Sequence, residues 1–566
     1  MRKNKPNYMK RKVITWSVAL VLGLGSPLFF SFSYVQGSDL FEITKNLSIF
    51  SSVYKEVDMY YVEEVEPGKL MKTGLDAMLK SLDPYTNYIP ESKIEDYRLM
   101  TTGEYGGIGS LIRTDGDYII ITEPYDGYPA QKSGLEAGDK IIRVDGKEMK
   151  GKTTQEVSSL LKGQSGTKLQ LVIDRDGEIS TVELTRENVK LPEVAYHGII
   201  DDKGEVGYVK LNSFTNTASQ RVGEALIQLE QKGMKKLVID LRGNGGGLLN
   251  EAVNIVNFFI DKGSLVVETK GRVEEVNRTY KTQNQPWNTE IPVVVLIDSY
   301  SASASEIVAG SLQDLDRGVV IGRNSYGKGL VQQTKNLEFN AKVKLTIAKY
   351  YTPSGRCIQR LDYSDVNDDG RGTAVADSLI EIFKTKNGRS VKDGRGIDPD
   401  VNIELGMYSR LTETLVRKNL IFNFATKFKR SHDSIVPAKE FEVSDETYTG
   451  FVDFLKDKDY EYNNESEEYL ASLTEIAKEE KYYEDSKEEI EALKAKLSAD
   501  KSSDLQRYKD EIIEILENEI VSRYYYQNGR IEVAVKRDPY VVSAISVLAD
   551  STRYNGILEG TSINKK

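Results

Sequence analysis

Cysteine and histidine are nearly missing from these 566 residues. The single cysteine, Cys357, excludes an intramolecular disulfide framework and a cysteine-rich zinc site. Only two histidines occur, His197 and His432, and histidine is the usual general base at neutral pH. Any hydrolytic chemistry in this chain is therefore expected to use another base. His197 falls in the linker-like AYHGII and His432 in the charged KRSHDS, neither in a setting suited to catalysis. An excess of positive charge is missing too. Lys and Arg number 76 against 87 Asp and Glu, a formal charge of −11, whereas neutralising phosphates needs a basic face. A nucleic-acid partner is not expected. What remains is an ordinary globular mix, 39% hydrophobic and 29% charged, long enough for several domains, each with its own core.

Long uncharged runs are scarce, and one stands out. Arg2, Lys3, Lys5, Lys10, Arg11 and Lys12 precede a stretch from Val13 to Val35 that carries no charge over 23 residues. As a helix this spans ~30 Å of hydrocarbon, with the basic flank held in the cytoplasm. Residues 1–36 read as that flank plus a transmembrane anchor. A cleaved signal peptide is the alternative, although no clear small-x-small cleavage site follows. Either way the rest of the chain is expected outside the cytoplasm, in the periplasm or cell envelope.

Residues 37–100 read as helical, with Leu40, Ile43, Leu47, Phe50 and Tyr54 at helical spacing, ending in the turn-rich LDPYTNYIPESK. Residues 101–188 change character to short β-type runs separated by glycine turns, with one helical stretch near Thr153 to Leu161. The loop Gly106-Gly107-Ile108-Gly109 and the segment PAQKSGLEAGDKIIRVDG resemble a PDZ domain. The resemblance implies that Gly107, Ile108 and Gly109 offer backbone N–H groups to a peptide's terminal carboxylate while the peptide adds a strand beside the helix. Residues 189–407 read as one further domain, in which strands and helices alternate from about residue 205, as in an α/β layer with parallel strands. Residues 408–566 turn to lysine- and glutamate-rich helical text, read as an accessory region with solvated charged faces.

Two strand-loop-helix units place small residues where helix-start N–H groups face a ligand: IDLRGNGGGLLNEA and LIDSYSASASEIVAG. Acyl transfer needs a nucleophile, a base and oxyanion donors. These loops supply the first and third. Lys328, in IGRNSYGKGLVQQ, is flanked by glycines, and burial would lower its pKa from ~10.4 toward neutrality, so that a neutral amine accepts the serine proton. The same segment nearly matches a phosphate-binding loop, but Gly329 replaces the metal-binding hydroxyl and strand-like text follows. Ser325 to Lys328 matches S-x-x-K, yet its partner triplet Lys72-Thr73-Gly74 lies upstream, in the wrong order. DVNDDG, Asp365 to Gly370, resembles the start of a calcium loop, but Ala376 stands where the bidentate glutamate belongs; a polar turn is the preferred reading.

Taken in order, LDPYTNYIP, the PDZ-like region, DLRGNGGG, YSASASEIVAGSLQD, NSYGKGLVQ, YYTPSGRCIQR and GIDPDV are similar to the carboxyl-terminal processing peptidases, or tail-specific proteases, over residues of about 40 to 405. The resemblance implies a crotonase- or Clp-protease-like α/β core. It also implies a nucleophile 25 residues before the base lysine, which selects Ser303 over Ser301 and Ser305. By the same resemblance Gln332 orients the lysine amine, Asp314 supports the site, and the amides of Gly246 and Ala304 form the oxyanion hole. Gly245 departs from the family, where many relatives have proline. The expected fold is thus multidomain α/β: membrane helix, N-terminal helical region, PDZ domain, peptidase core and charged helical C-terminal region. The expected activity is endopeptidase cleavage of exported or membrane-associated proteins selected by a free apolar C-terminus, without metal or nucleotide. A homo-oligomer or an adaptor protein stays open, as does a noncatalytic PDZ scaffold on a peptidase fold.

Overall fold

A computed structural model describes residues 37–366, 372–404, 406, 408–462, 465–497 and 501–561. The uncharged run from Val13 to Val35 lies outside the described residues, as does most of the DVNDDG segment. Among the described residues no helix is long and apolar enough to cross a membrane.

The chain divides into two compact units, residues 1–78 and 79–566. In the first, helix Gly37–Tyr60 is followed by helix Pro67–Lys80, and the Tyr54 hydroxyl donates to the Pro67 carbonyl at 2.7 Å. Leu40, Ile43, Leu47 and Phe50, the stripe expected from periodicity, are exposed.

The second unit is built on a six-stranded sheet in the order Val194–Ile199, Val206–Leu211, Lys236–Asp240, Val293–Ile297, Val319–Gly322, Val401–Asn402. The first pair is antiparallel and the others parallel. A parallel sheet must be covered on both faces, and the period-two alternation of each strand shows how. Leu237, Ile239, Val293, Val295 and Val320 turn toward helices Ala218–Gln231, Leu249–Asn257 and Ala304–Asp314. Their neighbours Val238, Val294, Leu296, Val319 and Ile321 turn the other way, onto Tyr540, Val541, Ala544, Val547 and Leu548. Helix Pro539–Ala549 therefore forms one layer of this unit. Asp538 fixes it there, capping the amide of Tyr540 at 2.9 Å and accepting from Arg242 of the DLRGNGGG segment at 2.7 Å. The reading of residues 408–566 as a solvated accessory region thus fails for its last part, whose helix Pro539–Ala549 is apolar on the sheet side.

A second, five-stranded sheet joins Asn87–Ile89, Leu330–Asn336, Lys342–Tyr351, Leu265–Gly271 and Arg278–Lys281. Within the segment read as turn-rich, residues 87–89 form a short strand that pairs antiparallel with residues 342–344. The PDZ-like region forms a six-stranded sheet from Ser110 to Thr185 around a core that includes Ile119, Ile141, Leu171 and Val157. Its helix Thr154–Leu161 starts in a reciprocal cap between Thr153 and Glu156.

The middle of the C-terminal region is a helical bundle with its own core, including Leu415, Phe424, Phe451 and Leu516, and it grips the PDZ-like sheet. The Phe422 ring lies between two guanidinium groups, Arg113 of the sheet at 4.2 Å and Arg523 of the bundle at 4.3 Å from its centroid. Buried Glu123 pairs with Arg530. Helix Lys509–Ala534 breaks at Tyr526 (φ 53°, ψ −152°), whose hydroxyl accepts from Gln131 of the PDZ-like region at 3.1 Å.

Candidate active site

The strand Val293–Ile297 ends in a loop held by Asp298, whose carboxylate accepts from the amides of Tyr300, Ser301 and Gly243, each at 3.0 Å. Three serines follow, in different environments. The Ser301 hydroxyl donates to the Leu241 carbonyl at 2.9 Å and that of Ser305 to the Asn244 carbonyl at 2.8 Å, and both side chains are fully buried. These two hydroxyls rivet the loop to the glycine loop after Asp240. Ser303 sits partly exposed between them at the start of helix Ala304–Asp314, with φ 58° and ψ −113°. A side chain rarely adopts that backbone conformation, and such strain collects at functional sites. The amide of Ala304, first in the helix, belongs to the N–H groups that have no acceptor within it.

Gly246 abuts this turn: a Cβ there would lie 2.6 Å from the Ala302 carbonyl and 2.8 Å from Ser303 Cβ. Its own N–H donates to Asn244 Oδ1 at 2.9 Å. Gly246, Ser303 and Ala304 are thus brought together, with the Gly246 donor engaged by Asn244.

The centre of the arrangement is Glu306, which sequence reasoning passed over. Its carboxylate, with no exposure to solvent, accepts four hydrogen bonds: from Ser303 N at 2.7 Å and Lys328 N at 2.9 Å on Oε2, and from Gly327 N at 2.7 Å and the Ser325 hydroxyl at 2.5 Å on Oε1. Burial pushes its pKa up, and these donors oppose that. The Ser-x-x-Glu spacing of Ser303 and Glu306 was the available signal, because it is the pattern of a helix-start capping box.

Lys328 is half-buried. Burial, and after it the charge of Lys344, push its pKa down to about 8, against the pull of Glu306 and Asp83. Its Nζ lies 4.4 Å from the centroid of the Tyr85 ring. Among the described residues no hydrogen bond joins Nζ to Ser303 Oγ, and none joins it to Gln332, whose amide donates instead to Thr346 Oγ1 at 3.3 Å. Thr346 N in turn donates to Thr86 Oγ1 at 3.1 Å, and Asp83 accepts from the amides of Tyr85 and Thr86 at 2.8 and 2.7 Å. The LDPYTNYIP segment therefore lines the lysine, which no local pattern discloses.

Asp314 lies at the far end of its 11-residue helix, ~16 Å from Ser303 at the usual helical rise. It pairs with fully buried Arg356 at 2.7 Å and accepts from Thr352 Oγ1 at 2.5 Å, so it braces the YYTPSGRCIQR turn. The histidines are engaged elsewhere: His197 with Gln228 at 2.9 Å, and His432 stacked on Phe428 at 4.0 Å. Among the described residues no group of His, Cys, Asp and Glu is arranged to hold a metal ion.

In the PDZ-like region a cavity of 170 Å³ opens between strand Ser110–Asp115 and helix Thr154–Leu161, lined among others by Ile108, Ile112, Leu161, Lys162 and Leu99. Ile108 forms part of its floor. Gly107 pairs with Glu187, and Gly109 turns the chain with φ 70°, its carbonyl accepting from Tyr125 at 2.8 Å.

The sequence profile of Peptidase family S41 matches residues 205–369, that of a PDZ domain residues 120–175, and that of a probable PDZ-protease C-terminal helical domain residues 411–548. A probable CtpA-like serine protease of Staphylococcus aureus (strain MSSA476) is 32% identical over 440 residues, 76% of this chain and 85% of that protein. The chain belongs to peptidase family S41. A carboxy-terminal-processing protease of Bartonella bacilliformis is 37% identical over 321 residues, 56% of this S41 chain and 73% of that protein. A solved photosystem II D1 C-terminal processing protease shares 28% identity over 63% of this chain and 92% of its own, with a TM-score of 0.35. The S41 chain is accordingly a serine-type peptidase of the carboxy-terminal-processing class, with a PDZ domain and a C-terminal helical domain.

Proposed function

We propose that this S41 peptidase cuts exported or membrane-associated proteins with Ser303 as nucleophile and Lys328 as general base, selecting them by an apolar C-terminus seated in the PDZ groove. The observation that carries the assignment is the shared carboxylate of Glu306, which binds the amides of both residues on one oxygen. Lys328, its pKa held down to about 8, is about one-tenth neutral at pH 7 and takes the proton from Ser303 Oγ as that oxygen bonds to the scissile carbonyl carbon. The carbonyl π pair moves onto oxygen, where the Ala304 amide at the helix start, and the Gly246 amide once it turns from Asn244, stabilise it. Collapse breaks the C–N bond, and the ammonium of Lys328 returns its proton to the leaving amine. Water then attacks the acyl-enzyme with Lys328 again as base, releasing the product acid and restoring the serine.

The Ser303–Lys328 hydrogen bond is open in the structure, as such bonds often are before substrate arrives. The uncharged run from Val13 to Val35 with its basic flank anchors the chain in a membrane and places the peptidase body outside the cytoplasm. Gln332 steadies the strand that follows Lys328 through its bond to Thr346.

The test is cleavage of an unfolded reporter ending in a free or an amidated apolar C-terminus by the full chain in detergent, beside Ser303→Ala and Lys328→Ala. Cutting by the unaltered chain alone, with the free terminus preferred, is expected. Normal cutting by Lys328→Ala would remove the base assignment, and indifference to amidation would remove the tail-reading role.

A further inference from the structure

The aromatic side chain beneath Lys328 bears on the chemistry of that lysine. We propose that Tyr85 is a positioning residue for the general base: its ring face holds Lys328 Nζ in place and stabilises the charge the amine gains on taking the serine proton. The inference rests on the Ser303–Lys328 reading above.

The ring centroid lies 4.4 Å from Nζ, within the range where the negative face of an aromatic ring attracts a cation. The ring itself is fixed from several sides. Asp83 Oδ1 accepts from the Tyr85 amide at 2.8 Å. The Tyr85 hydroxyl meets that of Tyr326 at 3.4 Å and that of Tyr363 at 3.3 Å, and the Tyr363 ring stands edge-on at 5.9 Å and 88°. Tyr326, two positions before Lys328, donates its amide to the Ser301 carbonyl at 3.0 Å. One aromatic platform is therefore tied to the loop of the base and to the loop of the nucleophile.

A ring suits this position better than a carboxylate. An ion pair would hold the ammonium firmly and raise its pKa, and its hydrogen bond would occupy the amine. A ring face accepts no directed bond of that strength, so the amine lone pair stays free for the serine proton. The attraction grows as Nζ turns from amine to ammonium, so it favours the transition state over the ground state. Gln332 is engaged with Thr346, and among the described residues no hydrogen bond restrains Nζ, which leaves the ring as its closest described restraint. The charged groups that face the lysine are Lys344 from strand Lys342–Tyr351, Glu306 from the nucleophile helix and Asp83 from the preceding turn; burial pushes the Tyr85 and Tyr363 hydroxyls further toward their neutral form.

The experiment compares the full chain with Tyr85→Phe, Tyr85→Leu and Lys328→Ala, reading kcat/KM against pH on the free-tail reporter and, separately, binding of a tail peptide. Tyr85→Phe keeps the face and is expected within about threefold of the unaltered chain, with its acid limb in place. Tyr85→Leu stays apolar and loses the face: kcat/KM falls by about 10- to 100-fold, and the limb moves to lower pH by about half a unit, because the ammonium has lost a partner. Tail binding is unchanged in both. Equal impairment of the two variants, or an unmoved limb in Tyr85→Leu, overturns the inference. Normal cleavage by Lys328→Ala overturns the dyad itself, so the two failures are told apart.

Discussion

The backbone amides of Ser303 and Lys328 converge on a single oxygen, Oε2 of Glu306, at 2.7 and 2.9 Å. Two loops, one after strand Val293–Ile297 and one after its neighbour Val319–Gly322, are thereby held in one relative position by a carboxylate with no access to water, and the separation of the proposed nucleophile and base becomes a property of one side chain.

Glu306→Gln is the direct check. Glutamine matches the size but turns an NH₂ toward at least one of four donors, leaving buried N–H groups unsatisfied. A loss of about 2 to 4 kcal/mol in urea unfolding is expected, together with a fall in kcat/KM of at least about 100-fold, the price of about 3 kcal/mol of misalignment. Near-normal activity would mean that the loops hold their spacing without it.

The lysine gives a pH prediction with a definite sign. With Lys328 as the proposed base, activity needs the neutral amine, so kcat/KM should climb through a limb near the value of about 8. Lys344 lowers that value by charge repulsion, and Lys344→Met removes it. The limb should then move to higher pH by about half a unit to one unit, and activity at neutral pH should drop by about three- to tenfold. Since the folded chain holds fewer protons on Lys328 than the unfolded one between the depressed and ordinary lysine values, stability from this group rises with pH across that window. A pH-rate profile and melting curves at several pH values test both.

Glu123 and Arg530 offer a separate test of the grip between bundle and PDZ domain. Arg530→Ala leaves the buried Glu123 carboxylate, already pushed toward its neutral form by burial, without its partner. A cost of about 3 to 5 kcal/mol is expected, concentrated in the PDZ-bundle contact and visible as faster amide exchange around residues 119–124. Adding Glu123→Gln should recover part of it. Strict additivity of the two changes would show that the pair does not interact.

For the C-terminal helices the expectation is that they behave as core. Leu548→Ala should cost about 2 to 5 kcal/mol, the same order as Leu312→Ala on the opposite face of the sheet, and both side chains are buried. A near-neutral Leu548→Ala in a denaturant titration would restore the accessory reading of that segment.

The alternation of strand and helix text from residue 205 onward is legible in the sequence because buried parallel strands are continuous apolar runs such as Val293–Ile297. The PDZ domain is legible through its glycine turns. Three features are not. The strand Asn87–Ile89 is only three residues long, and its place beside residues 342–344 is set by a partner far along the chain. The role of Pro539–Ala549 depends on a sheet built from residues hundreds of positions earlier. Ser301, Ser303 and Ser305 are alike in local pattern, and their differences come from long-range bonds to Leu241 and Asn244. Tyr85 illustrates the same limit, since its neighbours Tyr326, Lys328 and Tyr363 are gathered only by the fold.

Ser303 carries its backbone at φ 58° and ψ −113°, a conformation that costs a residue with a Cβ about 1 to 3 kcal/mol and glycine far less. Ser303→Gly should therefore melt above Ser303→Ala, which keeps the Cβ and the strain. On the proposed mechanism the glycine variant is disarmed yet more durable than the native molecule, with its PDZ groove intact: a trap for the tails that groove is proposed to hold.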